Sequence, residues 1–236
     1  MARKVFLDLG CRMGEGFSEL APNFGVDETW EVFAFEVNPD AIAQYDVNIK
    51  SGKYDVLNNK NITLINKGVW IEETILPLHR EVCSKDYYDK DDEFKEWVDT
   101  VNQEFEDGKC LSRHDFDVPD SGGSTLGPLF GYMDRSDAPQ RDKLEFHPDT
   151  INVECIDFSQ WMKNNLSPDD HIVLKMDIEG SEFAVLPKML QDKTIGWANA
   201  LIIEWHAWEF KQFEGLRQHL MKEINSIPTI EYSDWK

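Results

Sequence analysis

VFLDLGCRMGEGFSEL, residues 5–20, places three kinds of sequence in one short run. With Lys4 it opens as KVFLDL (4–9), a continuous apolar run broken near its end by Asp8. A run this short and this apolar reads as a strand buried on both faces. The bend G-C-R-M-G-E-G follows, with Gly10, Gly14 and Gly16. Glycine admits positive φ and lets another group approach the backbone closely. A short helix over 16–22 comes next, and its unpaired N–H groups would face an anionic part of a ligand. Strand, glycine bend and helix in that order suit a nucleoside-binding α/β fold.

The rest of the chain repeats that alternation. EVFAFE (31–36) is a second buried strand, ending in Glu36, and NITLIN (61–66) is a third. NPDAIAQY (38–45) between them starts a helix, with Pro39 suited to its first turn. INVECI (151–156), HIVLKMD (171–177) and ALIIEWH (200–206) also read as strands. DFSQWMKNNL (157–166) reads as a helix with Asp157 and Gln160 spaced as a capping pair. GSEFAVLPKML (180–190) is a helix that Pro187 should bend or shorten. Another helix is expected from about 207 to 225, and TIEYSDW (229–235) as an edge strand running the other way. The expected fold is one α/β domain, 1–236: a mainly parallel sheet, helices on both faces and an antiparallel edge strand.

The rhythm breaks at about 79–120, a polar and strongly acidic insertion. Within 91–106, Phe94, Trp97, Val98, Val101 and Phe105 fall on one face at helical spacing. That helix could close over a cleft as a lid, decorate the surface or form an oligomer contact. SGGSTLGPLFG (121–131) ends the insertion.

A net charge of −21 repels phosphate backbones, so DNA and RNA are poor partners, while neutral or cationic ligands are tolerated. Cys11, Cys83, Cys110 and Cys155 form no CxxC pair, which speaks against a zinc knuckle and for reduced thiols in the cytoplasm. No apolar stretch reaches the roughly 20 residues a bilayer span needs, and the N-terminus lacks a signal-peptide core.

In an open parallel sheet ligands bind at the carboxyl ends of the strands. Asp8, Glu36, Asp177, Glu204 and His206 all fall at such ends. Glu36 lies where a nucleoside fold puts the carboxylate that accepts from the ribose diol. The G-x-x-x-G-x-G bend also matches short-chain NAD-dependent oxidoreductases. Those enzymes need a Tyr-x-x-x-Lys pair, and here that spacing occurs as Tyr232 and Lys236, at the end of the chain. Asp8 ahead of the bend would repel a pyrophosphate and favour the sulfonium or ammonium of S-adenosylmethionine.

These segments resemble the FkbM-type methyltransferases, class I S-adenosylmethionine-dependent enzymes. VFLDLGCRMGEGFSEL is similar to the family's first cofactor motif, and VFAFEVNPDA to its AFEPNP segment, with Val37 replacing the first proline. NITLINKGVW, SGGSTL, VECIDFSQWM and ALIIEWH follow in the family's order, and VLKMDIEGSEFAVL is the most specific match. The resemblance implies a Rossmann-like methyltransferase fold and O-methylation of a sugar, glycan or other hydroxylated small molecule. It offers no role for 79–120.

The candidate cofactor-binding residues are Asp8, Gly10, Cys11, Gly14, Ser18, Glu36, Val37, Asn38, Gly68 and Asp177. The candidate catalytic residues are Asp177, His206 and Glu204. His206 would serve as general base, oriented by Asp177; alternatively the three would bind a divalent cation. Glu179 and Glu182 read as cap or lining of the helix near Gly180, and Lys175 as a partner for a strand-end acid. A non-catalytic cofactor-binding module, an NAD-dependent oxidoreductase, a homo-oligomer and, against the charge, a nucleic-acid methyltransferase are the other readings.

Overall fold

A computed structural model describes residues 2–54, 61–106, 124–134 and 143–235. In chain order its elements are β1 (Lys4–Leu9), α1 (Glu15–Leu20), β2 (Glu31–Glu36), α2 (Pro39–Ser51), β3 (Ile62–Asn66) and β4 (Gly68–Trp70). Then come β5 (Thr74–Cys83), α3 (Lys85–Lys90), α4 (Asp92–Glu106), β6 (Ser124–Leu126), α5 (Gly127–Phe130) and β7 (Leu144–Phe146). The chain continues through β8 (Ile151–Asp157), α6 (Phe158–Asn165), β9 (His171–Met176), α7 (Glu182–Asp192), β10 (Ala198–Ile203), α8 (Glu214–Asn225) and β11 (Glu231–Asp234).

Six strands form the main sheet in the order β11-β10-β9-β1-β2-β3. Every neighbouring pair in it is parallel. The strand order reverses about β1, so β2 and β9 flank it and leave a crevice at their carboxyl ends. The apolar runs explain the strands. Val5, Leu7 and Leu9 enter one buried layer with α6 and α7, while Phe6 faces the other, with Phe17 and Tyr45.

The expected antiparallel edge strand is corrected: β11 pairs with β10 in parallel. Helix α8 lies between them and carries the chain back across the sheet, so β11 re-enters in the same direction. The strand at 151–156 is present as β8, but it belongs to a second, mixed sheet in the order β4-β8-β5-β6, with β7 on β5. There β8 runs parallel to β4 and antiparallel to β5.

Local signals behave as their chemistry requires. Asp157 caps α6 by accepting from the Gln160 N–H at 2.9 Å. Asn38 caps α2 by accepting from the Asp40 N–H. Pro187 sits inside α7 without ending it, because Val185, Leu186 and Met189 anchor both sides of it in the core.

The start of the stretch at 79–120 is ordinary sheet, since β5 extends to Cys83. Helix α4 follows, and Phe94 and Val98 bury against Cys83 and Leu144, with Trp97 packed beside them. The Phe105 side chain, residues 107–123 with Cys110, and Lys236 lie outside the described residues. Among the described residues, Cys11, Cys83 and Cys155 are buried, and no helix is long and apolar enough to cross a membrane.

Candidate active site

A cleft of about 620 Å³ opens at the carboxyl ends of β1, β2 and β9. Its floor comes from the main sheet: Gly10 and Arg12 after β1, Glu36 and Val37 at β2, and Asp177, Ile178 and Glu179 after β9. Lys67, Gly68 and Val69 add one wall, and Leu78, Ser124 and Leu126 of the second sheet add another.

Glu36 is held by the backbone around it. Its Oε1 accepts from the N–H groups of Val37 and Asn38, each at 2.8 Å, and its Oε2 accepts from Arg12 N–H at 2.8 Å. Burial raises its pKa, and these three donors act against that. The carboxylate therefore has a fixed orientation on the cleft wall. Gly10 has a different constraint. With φ +73 it passes so close to β9 that an added Cβ would overlap the Asp177 carbonyl oxygen at 1.7 Å. That close approach requires a glycine, and the same residue lines the cleft.

Gly68 is also packed tightly, since a Cβ would meet Cys155 Sγ at 2.7 Å. Gly68→Ala is expected to cost about 1–3 kcal/mol of stability through overpacking. Cys155→Ala added to it should recover most of that in a denaturant titration. If the double variant is no more stable than Gly68→Ala alone, the contact is misassigned.

Asp8 departs from its expected role. It is fully buried and does not line the cleft. Asp8 pairs across the sheet with Lys175 on β9, whose Nζ lies 3.2 Å from Asp8 Oδ1 and 3.1 Å from Asp177 Oδ2. The same ammonium donates to the Gly10 carbonyl at 2.7 Å and sits 4.7 Å from the Trp235 ring centre. Burial alone would lower the Lys175 pKa, but Asp177 and Asp8 hold it above its ordinary value. Asp8 thus acts on the site through Lys175, which ties β1, its bend and Asp177 together.

Other expected residues divide in the same way. Val37 and Gly68 line the cleft. Asn38 is buried and donates to Ser124 Oγ at 3.2 Å, which links β2 to the second sheet. Cys11 is buried, and burial drives its thiol pKa well up. Gly14 precedes α1 with φ 93, and Ser18 Oγ donates to the Gly14 carbonyl at 2.7 Å. Both shape the bend from outside the cleft lining.

The structure brings Asp177 and His206 together, and their third neighbour is Glu179, not Glu204. Ligand atoms of these three lie within 4.8 Å of one another. His206 sits in a 3-10 turn after β10. Its Nε2 is 3.3 Å from Glu179 Oε2 and 3.7 Å from Asp177 Oδ1, and its Nδ1 is 3.2 Å from Glu182 Oε1. Glu182 is fully buried and accepts from the backbone N–H groups of Gly180 and His206. Burial would lower the His206 pKa, but Glu179, Glu182 and Asp177 raise it well above its ordinary value. His206 is also buried and outside the cleft lining, so both features oppose its expected part as a neutral base touching the acceptor. Burial and the charge of Asp177 raise the pKa of Glu204.

Residues not anticipated at the cleft include Arg12, Lys67, Leu78, Leu126 and Glu179. Glu179 has φ 50, just before Gly180 at φ 95. This left-handed turn carries its carboxylate to His206 in place of capping a helix. Thr125 on β6 fixes the turn by donating to the Glu179 carbonyl at 3.2 Å. SGGSTL was the sequence signal, through Ser124 and Thr125.

The family model for the FkbM methyltransferase domain matches residues 15–227. The chain belongs to the FkbM methyltransferase family. This class of S-adenosylmethionine-dependent enzymes points to methyl transfer and sets the dehydrogenase reading aside. A crystal structure of methyltransferase FkbM from Methylobacillus flagellatus KT is similar at TM-score 0.46 and 13% identity, over 93% of this chain. The chain spans 37% of that protein's length. No curated protein matches the chain. The cleft fits the methyl donor that an FkbM methyltransferase implies. A fixed carboxylate, Glu36, suits a ribose diol, and the acids after β9 suit a cationic sulfonium or ammonium.

Proposed function

We propose that this chain is an S-adenosylmethionine-dependent O-methyltransferase acting on a hydroxyl of a sugar, glycan or other small molecule. One observation carries the reading. A single cleft is lined by the backbone-held Glu36 on one side of β1 and by Asp177 and Glu179 on the other. The first suits a nucleoside, and the second suits a reacting hydroxyl.

Glu36 would hold the ribose hydroxyls, and Val37 and Val69 would offer an apolar wall to the base. When bound, S-adenosylmethionine supplies an electrophilic methyl group, released as the carbon–sulfur bond breaks with its electron pair to sulfur. An alcohol attacks poorly while protonated, so a positioned base is needed. Glu179 and Asp177 line the cleft and can accept the hydroxyl hydrogen bond. Glu179 takes the proton through Oε1 as the new carbon–oxygen bond forms. His206 does not touch the acceptor. It stands behind the two carboxylates, anchored by Glu182, and positions them. Much of the rate comes from alignment, which a fixed cleft supplies. Among the described residues, 85–106 contribute nothing to the cleft lining, so no lid is assigned to them.

Net charge favours a neutral, hydroxyl-rich acceptor over a phosphorylated one. The experiment is incubation with methyl-labelled donor and a panel of sugars, glycans and polyketide-type alcohols. Label should appear in an ether. Tight donor binding with no label in any acceptor would favour a non-catalytic binding module instead. Glu36→Ala should weaken donor binding about 10–100-fold, since a hydrogen bond to a charged group contributes about 1.5–3 kcal/mol.

A further inference from the structure

His206 has both ring nitrogens directed at carboxylates, although its side chain is almost wholly buried. Glu182 Oε1 lies at Nδ1, and Glu182 is itself pinned by two backbone N–H groups. With Nδ1–H donated to Glu182, the ring would present an Nε2 lone pair to the space beside Glu179 Oε2 and Asp177 Oδ1 once its second proton leaves. An outer carboxylate that fixes an imidazole in this way is the usual support of a metal-binding histidine. A cation there would take the place of the ring proton that Glu179, Glu182 and Asp177 now favour.

The spacing also suits an ion. Two ligands each about 2.1–2.2 Å from a shared metal lie roughly 3.0–3.6 Å apart at octahedral to tetrahedral angles. His206 Nε2 stands 3.3 Å and 3.7 Å from the two carboxylate oxygens. We propose that Asp177 Oδ1, Glu179 Oε2 and His206 Nε2 bind one divalent cation of the Mn²⁺ or Mg²⁺ class. Carboxylates with one imidazole suit such ions. Three protein ligands leave positions open toward the cleft. The acceptor oxygen would occupy one, and the cation would lower its pKa before the proton passes to Glu179 Oε1. That last role rests on the transferase reading above; the binding itself does not.

The test is a Mn²⁺ titration of chelator-treated full-length protein, followed by loss of the free-ion EPR signal. About one Mn²⁺ should bind per chain. Glu179→Gln and His206→Asn should each weaken binding at least about tenfold, and Glu204→Gln should leave it within about threefold. His206 is buried and its variant can fail to fold, so partly exposed Glu179 carries the test alone. Three results would overturn the proposal: no uptake at millimolar Mn²⁺, uptake unchanged in Glu179→Gln, or uptake abolished by S-adenosylhomocysteine. The last would give the cluster to the cofactor's own ammonium. The readout needs no turnover. Its failure therefore leaves the transferase reading standing, whereas bound Mn²⁺ without methyl transfer to any acceptor would count against that reading alone.

Discussion

Lys175→Met is expected to remove about 3–5 kcal/mol of stability, because it strands buried carboxylates that the ammonium now neutralises. Asp8 is fully buried and faces Lys175 Nζ at 3.2 Å, and Asp177 Oδ2 faces it at 3.1 Å. The methionine side chain fills much of the same volume, so the loss is electrostatic and not a cavity effect. For a chain of this length the melting temperature should fall by roughly 6–20 °C. Asp8→Asn in the same background removes the stranded charge and should restore much of the difference. A shift below about 2 °C in the single variant, or no recovery in the double, would show that the pair is not a buried ion pair. The effect also reaches function. Lys175 holds the Gly10 carbonyl and Asp177 together, so donor affinity should fall along with stability.

Glu179→Gln should lower kcat about 10²–10⁴-fold, the usual contribution of a positioned general base. The substitution keeps the shape of a partly exposed side chain, so the melting temperature should barely move. Affinity for S-adenosylhomocysteine should stay within a few-fold, which separates proton handling from donor binding. Turnover within about threefold of the wild type would remove Glu179 from the chemistry. The variant is preferred to Asp177→Asn because Asp177 also carries part of the Lys175 network.

Much of the fold was legible because its strands are short apolar runs between glycines, caps and acids. β1, β2 and β9 all stand where the sequence puts them. What failed depends on register across the sheet and on the direction of one edge strand. Asp8 looks like a strand-end acid along its own strand. The pairing of Asp8 with Lys175 on β9, more than 160 residues away, makes it a buried partner instead. The direction of β11 depends on the path of α8, which no local pattern in 229–235 records.

The site was legible in part for the same reason. Glu36 and Asp177 end strands and line the cleft. Glu204 also follows a strand, yet Glu179 takes its expected place because the backbone turns left-handed at Glu179 and Gly180. DIEG reads locally as the start of a helix, so a helix cap was the natural expectation for its acid. The second sheet was invisible as a wall. Ser124 and Leu126 reach the cleft from far along the chain, and nothing in their own stretch states which strands they will meet.

The most direct measurement is calorimetric titration of S-adenosylmethionine into the wild-type protein and into Glu36→Ala. One saturable site is predicted for the wild type, with affinity at least about tenfold weaker in the variant. No heat at saturating concentrations, or equal affinity in both proteins, would contradict the claim that this cleft is a nucleoside-sulfonium site built around Glu36.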